Sequence, residues 1–215
     1  MPRAKLVVLI SGSGSNLQAL IDACEDRQLE ADIVLVISNR ADAFGLQRAR
    51  EAGIENDCID HKQFACREEF DRALAERINA CTPDLVILAG FMRILTPAFV
   101  TQFYGRLVNI QPSLLPKYPG LDTHQRAIDA GDNYAGATVR FVTPELDGGP
   151  PILHVRVPVQ LDDSADSLAA RVLEYEHQLY VEAVRWFVAG RLRLENGGAV
   201  LDGETLPANG NRYAQ

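Results

Sequence analysis

Apolar runs rich in β-branched residues stand at 6–10, 33–37, 85–88 and 107–110 and alternate with segments of helical period. Short unbroken apolar runs are how strands read when both faces of a parallel sheet are covered, so the alternation predicts an α/β fold. The intervening helices show in their spacing. Leu17, Leu20, Ile21 and Cys24 make one stripe, and Phe70, Leu74, Ile78 and Cys81 make another. A longer helix is predicted over 164–189, with Leu168, Val172, Leu179, Ala183 and Trp186 on one face, capping material at 162–164 and Gly190 as its stop. After residue 136 the pattern changes. Segments 137–143 and 152–159 read as strands joined by the turn former Leu146-Asp147-Gly148-Gly149-Pro150, so antiparallel strands are expected in the C-terminal half. From Asn196 onward the chain is rich in Gly, Asn and Pro and reads as a small hairpin followed by a loose terminus.

At 215 residues, 47% of them hydrophobic and 23% charged, the chain can bury one proper core, and a single domain over 1–215 is expected. A formal net charge of −8 argues against nucleic acid or an anionic membrane as partner, so an anionic ligand would have to be held by local backbone dipoles. Cys24, Cys58, Cys66 and Cys81 form no CxxC pair and are expected as buried, reduced thiols. No stretch approaches the roughly 20 apolar residues of a membrane span, and the N-terminal segment turns polar too soon for a secretory signal. These features predict a cytoplasmic protein.

Ser11-Gly12-Ser13-Gly14-Ser15-Asn16 stands where the first strand becomes the first helix. Glycines there let backbone N–H groups approach an oxyanion, and the helix N-terminus adds partial positive charge, which suits a phosphate. Taken alone, the segment also suits a plain capped turn. A dinucleotide site would want an acidic residue at the end of the second strand, whereas this one runs into Ser38-Asn39-Arg40, which favours a single phosphate. Gly90-Phe91-Met92-Arg93-Ile94-Leu95 follows the third run directly, and the fourth runs into Asn109-Ile110-Gln111-Pro112. Ligands of open α/β sheets bind beyond the carboxyl ends of the strands, so these segments are expected on one rim. Asn109 and Gln111 lie two apart in extended chain and share a face, able to aim amide donors at one carbonyl oxygen; a polar strand end before a proline-fixed loop is the plainer alternative. Asp147 before two glycines is as readily turn chemistry as catalysis. Glu176, at the edge of the long helix's buried face, wants a partner such as ligand hydroxyls, or else solvent.

From Lys5 to about Leu206 the chain resembles the bacterial phosphoribosylglycinamide formyltransferases, folate-dependent enzymes of purine synthesis, in the ordered motifs LISGSGSNLQALIDA, SNRADAFGLQRA, PDLVILAGFMRIL, NI-PSLLPKYPGL and ELDGGP. The resemblance implies a Rossmann-like fold with helices on both faces of a mostly parallel sheet. It divides the single domain into a phosphate-binding half over about 1–105, a folate and catalytic half over about 106–190 and a C-terminal hairpin and tail over about 191–215. The activity implied is transfer of a formyl group from 10-formyltetrahydrofolate, the co-substrate, to the glycinamide amine, with no metal and with the protein as a monomer or homodimer. Gly14, Ser15 and Asn16 would hold the ribosyl phosphate and Glu176 the ribose. Met92, Arg93, Ile94 and Leu95, together with Thr143, Pro144, Glu145, Leu146 and Asp147, would meet the pterin and formyl end of the folate, with Arg67 also in contact. Asn109 would steady the oxyanion. Asp147 would be the carboxylate that, in relatives, tunes a catalytic histidine.

Gln111 departs from that pattern, because relatives carry histidine there, and many also carry histidine where this chain has Arg140. A histidine beside an aspartate can stay protonated, stabilise the oxyanion and hand a proton to the leaving nitrogen. Glutamine donates an N–H but does not titrate. Weakened turnover with intact binding is therefore expected. Arg140 on a predicted strand could lend a fixed positive charge, or be a surface residue on an outward position, and His124 could carry a proton or be a solvated ring at a helix start. A ligand-binding but inactive form of the same fold, or a slow formyltetrahydrofolate hydrolase, are the alternative functions.

Overall fold

The computed structural model of the chain describes residues 3–145 and 148–214. The chain divides into two compact units, Met1–Asn109 with Val142–Gly148, and Ile110–Phe141 with Gly149–Gln215.

In the first unit β1 (Ala4–Ile10) leads into α1 (Ser15–Glu25), then β2 (Ala31–Ser38), α2 (Phe44–Glu51), β3 (Asn56–Cys58), α3 (Arg67–Asn79), β4 (Leu85–Leu88) and α4 (Pro97–Gln102), reaching β5 (Leu107–Gln111). The strands are parallel in the order β3-β2-β1-β4-β5. The chain thus lays strands outward from β1 on one side and then on the other, and the order reverses between β1 and β4. Val7 and Leu9 of β1 pack with Leu35, Ile37, Val86 and Leu88 of the neighbouring strands, beneath Phe70, Leu74 and Ile78 of α3 and with Phe99 and Phe103. Each such side chain contributes about 1.5–3 kcal/mol on burial. The alternate residues Leu6, Val8 and Ile10 are buried too, as the apolar run required, and so are Leu17, Leu20 and Ile21 of α1. Helices α2 and α4 are 8 and 6 residues long, too short to print a stripe on the sequence. Thr96 caps α4, its Oγ1 accepting from Phe99 N at 3.3 Å, with Pro97 opening the helix.

In the second unit α5 (Thr123–Asp129) precedes an antiparallel pair, β6 (Tyr134–Phe141) and β7 (Pro151–Pro158), whose register shifts between Val139 and Arg140. Helix α6 (Ala165–Val188) packs on both strands through Leu168, Val172, Leu179 and Ala183, as its stripe predicted, while Trp186 is only half-buried. A capping box starts it: Ser167 N donates to Ser164 Oγ at 3.1 Å and Ser164 N to Ser167 Oγ at 3.0 Å. Strands β8 (Leu192–Glu195), β9 (Gly198–Leu201) and β10 (Glu204–Thr205) form a small antiparallel sheet. The fold is therefore α/β, mostly parallel, with added antiparallel strands.

Two expectations change. The terminus is not loose, because β11 (Asn211–Arg212) pairs in parallel with β7 and Tyr213 N donates to the His154 carbonyl at 2.7 Å, satisfying an edge that composition alone could not reveal. The free cysteines are not fully buried. Cys66 is exposed where it caps α3, and Cys24 and Cys81 stand at helix ends, where a stripe runs out of sheet to cover. Among the described residues no helix is long and apolar enough to cross a membrane.

Candidate active site

The strand order reverses between β1 and β4, and the carboxyl ends of strands at such a reversal are where α/β sheets of this kind receive ligands. Leu9 aligns with Leu88, and Leu88 with Asn109, in one row across three neighbouring strands. At the usual spacing of about 4.8 Å per strand, Asn109 lies roughly 10 Å from Leu9. Its half-buried amide has no hydrogen-bond partner among the described residues.

Just beyond Leu9 the chain enters the glycine turn. Gly14 is the N-cap of α1 with φ of 70°, and a Cβ there would stand 2.7 Å from the Gly45 Cα. Left-handed backbone and close approach both require glycine. Gly45 N donates to the Gly12 carbonyl at 3.0 Å, which locks α2 onto the turn. Arg48 of α2 reaches over it, donating from Nε to the Ser13 carbonyl at 2.8 Å and from Nη1 to Gln18 Oε1 at 3.2 Å. Ser15 opens α1 and Asn16, buried, follows. Because Gly14 has no side chain to cap the helix, first-turn N–H groups are left for an anion, with a guanidinium fixed close by.

Residues 90–95 follow β4. Gly90 takes φ of 74° and turns the chain out of the sheet. Met92 N donates to Ser11 Oγ at 2.8 Å, and Ser11 Oγ donates in turn to Asn39 Oδ1 at 2.5 Å. At the far end Thr96 N donates to Asp71 Oδ2 at 2.6 Å. Burial pushes the Asp71 carboxyl up, opposed by its bonds from Thr96. Met92 and Ile94 are 62% and 57% exposed, apolar surface of the kind that binding sites display, and Leu95 is half-buried. Arg93 Nε is buried with no hydrogen-bond partner among the described residues. Arg67, exposed, is the first residue of α3. In the segment after Val142, Thr143 is buried, Pro144 half-buried and Glu145 exposed, with the Glu145 carboxyl held below its ordinary range by a hydrogen bond with Thr143. Leu146 and Asp147, expected at the folate and as the catalytic carboxylate, lie outside the described residues.

The remaining expected residues belong to the second unit. Gln111 is half-buried and its Nε2 donates to the Gly120 carbonyl at 2.9 Å, so one of the two N–H groups expected for an oxyanion is already engaged within the unit. Glu176 is buried between Val172 and Leu179 on α6, not solvated at the stripe's margin. Arg140 is 7% exposed, which overturns the reading of a surface arginine; β6 is buried at every position from 135 to 141, so it has no outward face for that reading to use. His124, near the start of α5, is half-buried, not a solvated ring. Its Nε2 has no partner among the described residues, and burial pulls its pKa down, making it a neutral base at neutral pH. A cavity of about 360 Å³ in this unit, lined by Leu114, Lys117, Asp132, Thr138, His154 and Arg156 among others, includes none of the expected site residues.

A family model described as formyl transferase matches residues 4–184. The chain belongs to the formyl transferase family. Within that family it is 54% identical over 205 residues to a phosphoribosylglycinamide formyltransferase of Escherichia coli, covering 95% of this chain and 97% of the relative. It is also 50% identical over 190 residues to the trifunctional purine biosynthetic protein adenosine-3 of Drosophila melanogaster, covering 87% of this chain but 14% of that larger protein. The solved phosphoribosylglycinamide formyltransferase of Coxiella burnetii superposes with a TM-score of 0.94 at 45% identity, covering 99% of this chain and 100% of that one. A formyltetrahydrofolate deformylase of Pseudomonas putida superposes with a TM-score of 0.83 at 27% identity, covering 93% of this chain and 70% of that one.

Several residues of this formyl transferase's site escaped sequence reasoning. Gly45 and Arg48 sit inside the motif SNRADAFGLQRA, but only the folded turn shows what they press against. Asp71 left a signal: an acidic residue lodged between Phe70 and Leu74, on a helix flank that the structure buries.

Proposed function

We propose that this chain transfers the formyl group of 10-formyltetrahydrofolate to the glycinamide amine of phosphoribosylglycinamide, working in the cytoplasm as a monomer or homodimer and as one formyltransferase domain. The observation that carries the reading is the row Leu9, Leu88, Asn109 beside a left-handed glycine turn, in a chain 54% identical to the E. coli enzyme over nearly its full length. The turn of Gly14, Ser15 and Asn16 receives the phosphate, and Glu176 the ribose. Met92 to Leu95, Arg67 and the segment Thr143, Pro144, Glu145, Leu146 and Asp147 receive the folate. The exposed Met92 and Ile94 offer apolar surface for a ring, and the unpartnered Arg93 Nε offers a donor.

In the reaction the amine nitrogen bonds to the formyl carbon, whose oxygen becomes an oxyanion steadied by the Asn109 amide. The bond from carbon to N10 then breaks, N10 takes up a proton and the former amine gives one up. Neither Asn109 nor Gln111 titrates, so no amide at this position can relay that proton. General acid catalysis contributes roughly 10²- to 10⁴-fold, and turnover is weakened by about that factor.

The test measures formyl transfer by the chain and by its Gln111→His variant. The expected outcome is slow transfer by the former and a kcat gain of roughly 10²-fold or more in the latter. Transfer by neither protein, with both ligands bound, would instead support an inactive binding form. Formate release without transfer would support the hydrolase.

A further inference from the structure

We propose that Ser11 is a positioning residue that sets the folate-side segment 90–95 against the phosphate turn; this rests on the formyltransferase reading. Ser11 is the first residue after β1, immediately before Gly12, and is 3% exposed. Its hydroxyl has a single hydrogen, which goes to Asn39 Oδ1, leaving Oγ to accept from Met92 N. Both bonds together fix the rotor, so the hydroxyl joins the ends of β1 and β2 to the segment following β4.

Asn39 is itself held, at 2% exposure, by His61. His61 Nδ1 lies 3.2 Å from Asn39 Nδ2 and 3.1 Å from the Asn39 carbonyl. A bare Nδ1 accepts from the amide and a protonated one donates to the carbonyl, so one of the two bonds persists in either tautomer.

The weight of the joint lies in what else restrains the segment. Ala89 N donates to the Leu9 carbonyl and Thr96 N to Asp71, and between those two points Met92 N to Ser11 is the one backbone hydrogen bond among the described residues. Met92, Arg93, Ile94 and Leu95 are the residues assigned to the folate. One serine hydroxyl therefore sets where the folate surface stands relative to the turn that anchors the phosphate. Displacement of about 1 Å at such a site can cost roughly 10²-fold in rate.

The experiment compares wild type, Ser11→Ala and Asn39→Ala. It reads kcat, the KM of each substrate, and the Kd of 5-formyltetrahydrofolate, a folate that does not donate its formyl group in this reaction, by calorimetry. Ser11→Ala is expected to raise the folate KM and Kd by about 10-fold and to lower kcat/KM by roughly 10²-fold, with the KM of phosphoribosylglycinamide changed much less. Asn39→Ala, which frees the rotor but keeps the Met92 bond, is expected to move the folate constants in the same direction by a smaller factor. Should Ser11→Ala fail to fold, Asn39→Ala decides. A lower Tm with unchanged folate constants in the folded variants would overturn the proposal and leave Ser11 a structural residue. A wild type that binds the folate but transfers nothing sinks the formyltransferase reading alone, since the Kd comparison still decides the role of Ser11. A wild type that does neither overturns both.

Discussion

The residues expected at the site are anchored differently in the two units. In the first, Asn109 apart, polar side chains around the strand ends are committed to the backbone of the binding segments: Arg48 to the Ser13 carbonyl, Ser11 to Met92 N, Asp71 to Thr96 N. In the second, Arg140 and Glu176 are buried and Gln111 donates one amide N–H to the Gly120 carbonyl. The first arrangement builds a frame, and frames change affinity when broken. The amide donors, Gln111 of the second unit and Asn109 of the first, are the groups expected to change rate. A division of labour of this kind makes the Gln111 substitution legible, because chemistry can weaken while the pockets stay whole.

That contrast can be broken at several points, beginning with the gain of roughly 10²- to 10⁴-fold in kcat for Gln111→His. Next comes Asn109→Ala, which should lower kcat by roughly 10²- to 10³-fold while both KM values stay within a few-fold, as loss of an oxyanion donor does. A large rise in either KM would place Asn109 with the frame and erase the distinction. The roughly 10²-fold effect expected of Ser11→Ala falls between these chemical losses and the frame's smaller ones. Gly14→Ala is smaller again. A non-glycine residue in left-handed backbone costs about 1–2 kcal/mol, and the added Cβ meets Gly45. The KM for phosphoribosylglycinamide should rise about 10-fold with kcat little changed, read from steady-state kinetics. A fall in kcat without a change in KM would show that the turn serves chemistry instead.

How far the sequence reached follows the same line. Strands at 6–10, 33–37, 85–88 and 107–110 were legible because burial on both faces writes itself as an unbroken apolar run, and α6 because 24 residues carry several turns of stripe. Helices α2, α4 and α5, of 8, 6 and 7 residues, hold little more than two turns at most and leave too little periodicity to find. At the site, the glycine turn, Asn109 and the 90–95 segment were visible as residue types at strand ends. The roles of Ser11 and Asn39, both inside motif segments, were not, since they lie in partners far along the chain, 81 residues away for the Ser11 bond to Met92, and Asp71 left only the signal of an acid between Phe70 and Leu74. The surface alternative for Arg140 fails because β6 is covered on both faces from 135 to 141, and a run interrupted by Gly136, Thr138 and Arg140 does not read as an unbroken apolar one.

The smallest expected effect tests the frame from its other end. Asp71 is 3% exposed, its Oδ1 has no hydrogen-bond partner among the described residues, and Oδ2 accepts from Thr96 N. Burial raises its pKa above the ordinary 3.8, so the folded protein holds this proton more tightly than the unfolded chain does. The stability the group contributes is therefore full below the unfolded pKa and is lost as pH rises through the folded one. Asp71→Asn removes that slope and keeps an acceptor for Thr96. Thermal unfolding at about pH 3.5 and about pH 7 should show the Tm difference, variant minus wild type, moving in the variant's favour at the higher pH, with the folate Kd nearly unchanged. A difference moving the other way would mean that the charged bond to Thr96 outweighs burial. In that case the carboxylate itself, and not merely an acceptor, holds the end of the folate segment, and the first unit would owe its frame to charge as well.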